Sequence, residues 1–206
     1  MTFASHYPPE TPAIPGDDAA LRPWAERASG LLEFMHRYSG CTFGGGIYRV
    51  HAISEIRKWT NLCEETFPAF KGRVLTFASD WMGNQFVLDG RRLEGNQSLV
   101  LLFELGFGDA LNVPTNFSTF HDSELIEDKE AALAYSVFQQ WLSKGSPAPR
   151  RDQCVGYRIP LFLGGKDDLE NLEVTDMEVY WAITGQLLAQ TSGLGLGTPI
   201  KGLSIE

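Results

Sequence analysis

The stretch "SLVLLFEL", residues 98–105, is a nearly continuous apolar run. A strand with one wet face alternates apolar and polar residues; an unbroken run belongs to a strand covered on both faces. Such a strand requires layers on either side of its sheet. The chain has 206 residues and is 43% hydrophobic, enough for one well-buried core. Just upstream, "GRVLTFASDWMGNQFVLDG" reads as two strands, Val74–Ala78 and Gln85–Asp89. The turn between them, Trp81–Asn84, holds a Gly83-Asn84 pair that tolerates positive φ. Trp81 itself reads as folded over the sheet rather than exposed as an anchor.

Helical patterns surround these strands. Trp24, Ala28, Leu31, Leu32, Met35 and Tyr38 recur at helical spacing, which predicts a helix from about Pro23 to Tyr38 that Gly40 stops. A glycine turn and a short strand around Ile47–Val50 follow. Ile53, Ile56, Trp59 and Leu62 mark a second helix, and "NFSTFHDSELIED" a short one. "DKEAALAYSVFQQWLSKG" is the clearest helix, with Leu133, Val137 and Trp141 inside and Gly145 closing it. "CVGYRIPLFLGG" suggests a strand broken at Pro160. Thr175 and Glu178 have capping-box spacing for a last helix ending near Gly193. The glycines of "SGLGLGTP" follow that helix and lack the strand-turn-helix context of a dinucleotide site. The expected fold class is α+β (mixed α/β), a central, mainly antiparallel sheet flanked by helices in a single domain, residues 21–206. Pro8, Pro9, Pro12 and Pro15 make residues 1–20 an extended arm outside the core.

The net charge is −9, and no Lys/Arg run exceeds two residues. A protein that neutralises phosphates needs clustered cations, so nucleic acid and an anionic membrane are excluded as direct partners. A basic protein is the complementary partner. Three cysteines, Cys41, Cys63 and Cys154, without CxxC spacing fit a reducing compartment. The N-terminus has no signal-peptide pattern and no apolar run reaches membrane-spanning length, so the expected location is the cytoplasm.

The negative charge is concentrated. Residues 161–181 hold six acids and one lysine, and residues 121–130 five acids and one lysine; together they equal the whole net charge. An EF-hand loop fails from either Asp167 or Asp168, because Leu169 or Leu172 falls where a ligand is needed. "GGKD" is no phosphate loop, since Pro160 and Asp167 replace the required Gly and Ser/Thr. His36, Cys41 and His51 lack paired zinc spacing. Cys63 or Cys154 with His121 can be pictured as nucleophile and base, but no motif joins them. No metal or cofactor is expected, and no catalytic residue. The acids that form a candidate docking surface are Asp122, Glu124, Glu127, Asp128, Asp167, Asp168, Glu170 and Glu173.

Four stretches, "FGGGIYRVH", "SDWMGNQFVLD", "YRIPLFLGGKDDLENLEVTDMEVYW" and "ITGQLL", together resemble the GAD-like immunity domain family, loosely related to the SUKH group. The likeness covers roughly residues 30–192. It implies a non-enzymatic cytoplasmic protein that binds and blocks a cognate toxin of type VI secretion, a nuclease in the best-known members. It also implies that Asp80, Trp81, Gly83, Gly164, Gly165, Asp176 and Trp181 hold structure rather than touch the toxin. Two alternatives stay open on the residues alone. One is a small metal-dependent or acid/base hydrolase using the Asp167–Asp176 carboxylates; the other is a scaffold for a non-toxin protein.

Overall fold

The computed structural model describes residues 3–191, 193, 202 and 205. A short helical turn, α1 (Phe3–His6), precedes two 3-10 segments and helix α2 (Leu31–Tyr38). Strands β1 (Thr42–Phe43) and β2 (Tyr48–Val50) lead into α3 (Ile56–Thr66). Then come β3 (Val74–Asp80), β4 (Gln85–Glu94), β5 (Gln97–Glu104) and β6 (Asp109–Asn116). The helical run that follows has α4 (Phe117–Thr119), a π turn over Phe120–Glu124, α5 (Leu125–Glu127), α6 (Lys129–Leu133) and α7 (Tyr135–Ser143). Strands β7 (Gln153–Tyr157) and β8 (Leu172–Asp176) and helix α8 (Met177–Thr191) complete the fold. β1 to β6 form one sheet in sequence order with every pair antiparallel, and β7 and β8 form an antiparallel hairpin. The class is α+β in one compact domain.

The apolar run behaves as its pattern requires. In β5, Val100 and Leu102 enter one buried cluster while Leu101 and Phe103, with Leu105 just past the strand, enter another. β4 divides the same way, Phe86 and Leu88 against Val87. Alternate side chains of one strand point to opposite faces, so the sheet is sandwiched. One side is closed by α2 and the 117–143 helical run, through Met35, Phe117, Phe120 and Phe138. Trp59 and Cys63 of α3 and Met177, Tyr180 and Trp181 of α8 close the other.

Several elements depart from the sequence expectation. The Pro23–Tyr38 helix is a 3-10 segment over Arg22–Arg27 and then α2, divided at Gly30, whose φ is +79°. Only glycine takes that conformation without strain. The 129–145 helix breaks at Ala134, φ +46°, into α6 and α7. β6 and β8 carry no alternation that marks them as strands. The last helix is capped by Asp176, whose Oδ1 accepts from Val179 N at 2.9 Å, while Thr175 lies in β8 and Glu178 reaches Lys58 at 2.8 Å. The N-terminal residues also differ from an arm clear of the core. Phe3 and Tyr7 are buried in the first cluster, and Pro9 bridges to Phe43. Of the glycines in "SGLGLGTP", Gly193 is described, with φ +82°; Gly195 and Gly197 lie outside the described residues.

Arg49 joins the two sheets. It is 2% exposed, and its guanidinium donates to the carbonyls of Asp80, Gln153 and, at 2.9 Å, Arg150. The end of β3 and the start of β7 are thus held by one side chain. Arg49→Met keeps the aliphatic length but removes a donor shared by three carbonyls; Asp80 O and Arg150 O keep Gly83 N and Gln153 N, and Gln153 O loses its side-chain partner. Each unsatisfied buried group costs about 1–3 kcal/mol. Urea unfolding should show a loss of about 1–3 kcal/mol; a loss below about 0.5 kcal/mol would mean the clamp is dispensable.

Candidate functional site

The turn between β3 and β4 is where the chemistry of the molecule gathers. Asp80 Oδ1 accepts from the N–H groups of Met82 and Asn84, both at 2.9 Å, and Oδ2 accepts from Asn84 Nδ2 at 2.9 Å. The turn is tied outward as well. Trp81 N donates to Ile47 O, Val155 N donates to Trp81 O, and Trp181 Nε1 donates to Gly83 O at 2.7 Å. Trp81 is fully buried and its Nε1 donates to Leu133 O at 2.9 Å. Gly83 has φ +83°, and a Cβ there would lie 2.9 Å from Cys154 Cβ. Both its conformation and its neighbours demand glycine.

Above this turn lies a cleft of about 670 Å³. Its floor holds Asp80, Asn84, Leu102 and Glu104. One wall is helical, with Ala131, Ala132, Ala134, Val137, Gln140 and Lys144. Three alanines at the α6–α7 break leave the volume that larger side chains would fill. Tyr157 and the 167–172 loop make the other wall. The cleft is acidic. Asp80, Glu104, Asp167, Asp168 and Glu170 line it, against the single cation Lys144.

The loop that displays these acids is built around Asn171. Its Nδ2 donates to Ile159 O at 2.8 Å and to Lys166 O at 2.9 Å, and its Oδ1 accepts from Ile159 N at 3.0 Å. Asp168 Oδ1 accepts from Asn171 N at 3.0 Å. The Gly-Gly pair serves this fold: Gly164 has φ +86°, and a Cβ on Gly165 would meet Ile159 O at 1.9 Å. Tyr157 OH donates to Asp167 Oδ1 at 2.6 Å. Burial and then the Asp167 carboxylate push the Tyr157 hydroxyl up from its ordinary value. Burial, followed by the charges of Asp109 and Asp167, raises Glu104. Asp80 is pushed up to about 7 by burial, against the hydrogen bonds from Asn84 and Met82. The floor of the cleft therefore holds carboxyl groups that gain from a nearby cation.

The eight acids read from the sequence do not share one surface. Asp167, Asp168 and Glu170 line the cleft. Glu173 is turned away in β8 and pairs with Arg158 at 3.4 Å. Asp122 accepts from Phe3 N at 3.2 Å and lines a separate cavity of about 220 Å³ with Phe3 and Phe34. Glu127 accepts from Ser123 Oγ at 3.2 Å, and Glu124 is raised by burial and by Asp128. Asp128 is exposed on the same run. Asp80 and Glu104 were missing from the sequence reading of the site. One looks like a turn residue and the other like the end of an apolar strand.

The alternative catalytic groups are only partly brought together. Asp167 contacts Tyr157, whose strand partner is Leu172, whereas Asp176 pairs with Gln153 at the far end of the hairpin. Four residues of strand, about 13 Å, separate Leu172 from Asp176, so Asp176 stands apart from Asp167, Asp168 and Glu170, which share the cleft. Cys63 and Cys154 are buried, and burial pushes Cys63 up to about 12 and Cys154 higher still. His121 lies in the other core layer, lowered to about 3 by burial, between Tyr48 OH and Phe117 O. Among the described residues no group of three or more His, Cys, Asp or Glu is placed to hold a metal ion, and no helix is long and apolar enough to cross a membrane.

With the cleft in view, the comparisons gain a location. Residues 115–188 match the family model described as "T6SS immunity protein Tdi1, C-terminal". This part of the chain is similar to a type VI secretion immunity family. It covers just over a third of the sequence and contains both walls of the cleft, though not the floor residues Asp80 and Glu104. Among solved structures, the chain is similar to the crystal structure of Atu4351 from Agrobacterium tumefaciens. The TM-score is 0.64 at 15% identity, over 89% of this chain and 86% of that one. At that identity the likeness speaks for the fold alone. Among curated proteins no match is found.

Asp80 makes the turn sensitive to pH. Burial raises its carboxyl to about 7 in the folded chain, against the ordinary carboxylate value near 3.8 when unfolded. Between those values the folded state binds more protons, so this group's contribution to stability falls as pH rises from about 4 to 7. Asp80→Asn removes that slope. Relative to the native chain, the variant should gain about 2–3 kcal/mol between pH 5 and pH 7 in paired denaturation curves. Parallel curves would show an ordinary carboxylate.

Proposed function

We propose that this chain is an immunity protein that binds a cognate secreted bacterial toxin one-to-one and neutralises it without catalysis. The toxin is a nuclease with a basic surface, and the neutralising complex forms in the cytoplasm, where such a toxin would meet DNA. The observation that carries this reading is the 670 Å³ cleft with five carboxyl groups and one lysine. A nuclease needs cations to hold phosphate, and an acidic cleft can engage those cations instead. The likeness of residues 115–188 to an immunity family, in the segment that forms the cleft walls, supports the same reading. So does the GAD-like resemblance of the sequence, whose motif residues Asp80, Trp81, Gly83 and Trp181 all have partners inside the fold.

Within this reading Asp167, Asp168 and Glu170 meet the partner, and Glu104 lies beneath them. The 122–128 acids lie away from the cleft and contribute long-range attraction rather than contact. Calorimetry with the cognate toxin should give one-to-one binding that weakens with added salt. Glu170→Lys, at an exposed position, should weaken binding about tenfold or more, whereas Glu127→Lys should leave Kd within about twofold. The reverse ranking would move the interface to the helical face. Absence of binding at low salt, together with no protection of cells expressing the toxin, would end the immunity reading.

A further inference from the structure

A second site lies on the opposite side of the Arg49 clamp, in a cavity of about 80 Å³ lined by Arg49, Ser79, Arg151, His51, Lys58 and Trp59 among others. Among the described residues, six buried side-chain polar atoms lack a hydrogen-bond partner: Arg49 Nε, Thr76 Oγ1, Ser79 Oγ, Ser98 Oγ, Thr115 Oγ1 and Arg151 Nε. Four are hydroxyls, which rotate and accept weak partners. The other two are guanidinium nitrogens, which can only donate, and both belong to residues of this one cavity, with Ser79 as a third. Arg49 and Ser79 are register partners in β2 and β3, so their side chains leave the sheet on the same face.

The lining holds four carboxylates, Glu55, Asp152, Asp176 and Glu178, against Arg49, Lys58 and Arg151, and they are unevenly placed within it. Arg151 pairs with Glu55, and Lys58 with Glu178. Arg49 has backbone carbonyls as its partners and forms no ion pair with a carboxylate among the described residues. A buried guanidinium held by carbonyl dipoles retains a full positive charge that favours a counter-ion. The remaining lining acids lie outward. Asp152 has a side chain 68% exposed, and Asp176 is occupied in capping α8. We propose that this cavity is a binding site for a small inorganic anion of chloride size, held by Arg49 Nε–H, Arg151 Nε–H and the Ser79 hydroxyl. The volume suits one such ion and one or two waters, at about 30 Å³ for each water-sized occupant. A bound anion would brace the junction between the main sheet and the β7–β8 hairpin, because Arg49 grips β7 and Arg151 belongs to the loop before it.

This assignment does not depend on the immunity reading and is tested separately. Crystals grown with sodium bromide should show an anomalous peak in the cavity, within hydrogen-bond reach of the three donors. In solution, chloride should raise the melting temperature by about 3 °C over gluconate at equal ionic strength, with saturation. Arg151→Gln, which leaves the Arg49 clamp whole, should remove at least half of that rise. Ser79→Ala, with no change in charge, should reduce it as well. An anomalous map without a peak there overturns the proposal. A peak with identical melting in chloride and gluconate identifies an adventitious ion only, and also overturns it.

Discussion

The fold turns on the short segment from Asp80 to Asn84 and on the arginine that holds it. An antiparallel meander needs a reversal after β3, and this one is closed by a buried carboxyl group accepting three hydrogen bonds from its own turn. The same turn then becomes the junction of every layer. Its carbonyls receive Arg49 from β2, Val155 from β7 and Trp181 from α8. Its Trp81 indole reaches the end of α6. Burying a carboxyl and a guanidinium is costly unless their partners are present. Here the carboxyl is satisfied by the N–H groups of Met82 and Asn84 and the guanidinium by three carbonyls at the strand ends. This arrangement specifies where the hairpin and the helices sit relative to the sheet.

The cleft is a consequence of that placement. The turn supplies its floor, the helix break at Ala134 opens one wall, and the Asn171-centred loop presents acids from the other. The loop's acids are not interchangeable. Asp168 caps a 3-10 turn, Asp167 holds Tyr157, and Asp176 starts α8, so these three carry structural work while Glu170 projects freely. The question raised by six carboxylates in twenty-one residues thus has a mixed answer. Some brace the chain, and the braced loop turns a few toward a common space with Glu104 and Asp80.

Much of the fold was legible because its signals were local. The unbroken apolar run announced a two-sided sheet, and Gly83-Asn84 announced the reversal. The spacing of Ile53, Ile56 and Trp59 announced α3. What failed locally depended on distant partners. β6 is an exposed edge whose order comes from pairing with β5. β8 is a strand because β7 lies beside it. The Ala134 break reads as uninterrupted helix in any propensity argument, and Phe3 enters the core because a pocket of aromatic rings receives it. The site was half legible. Exposed acids stood out by their density, whereas Asp80 and Glu104 belong to the cleft through tertiary placement that no spacing encodes.

The most direct test of this account is hydrogen–deuterium exchange of the chain alone and in complex with its cognate toxin. The account predicts that complex formation slows exchange across residues 131–144 and 157–172, the two walls of the acidic cleft, and leaves 117–128 unchanged. Protection confined to 117–128, or to the β6 edge, with the cleft walls exchanging as in the free chain, would contradict it.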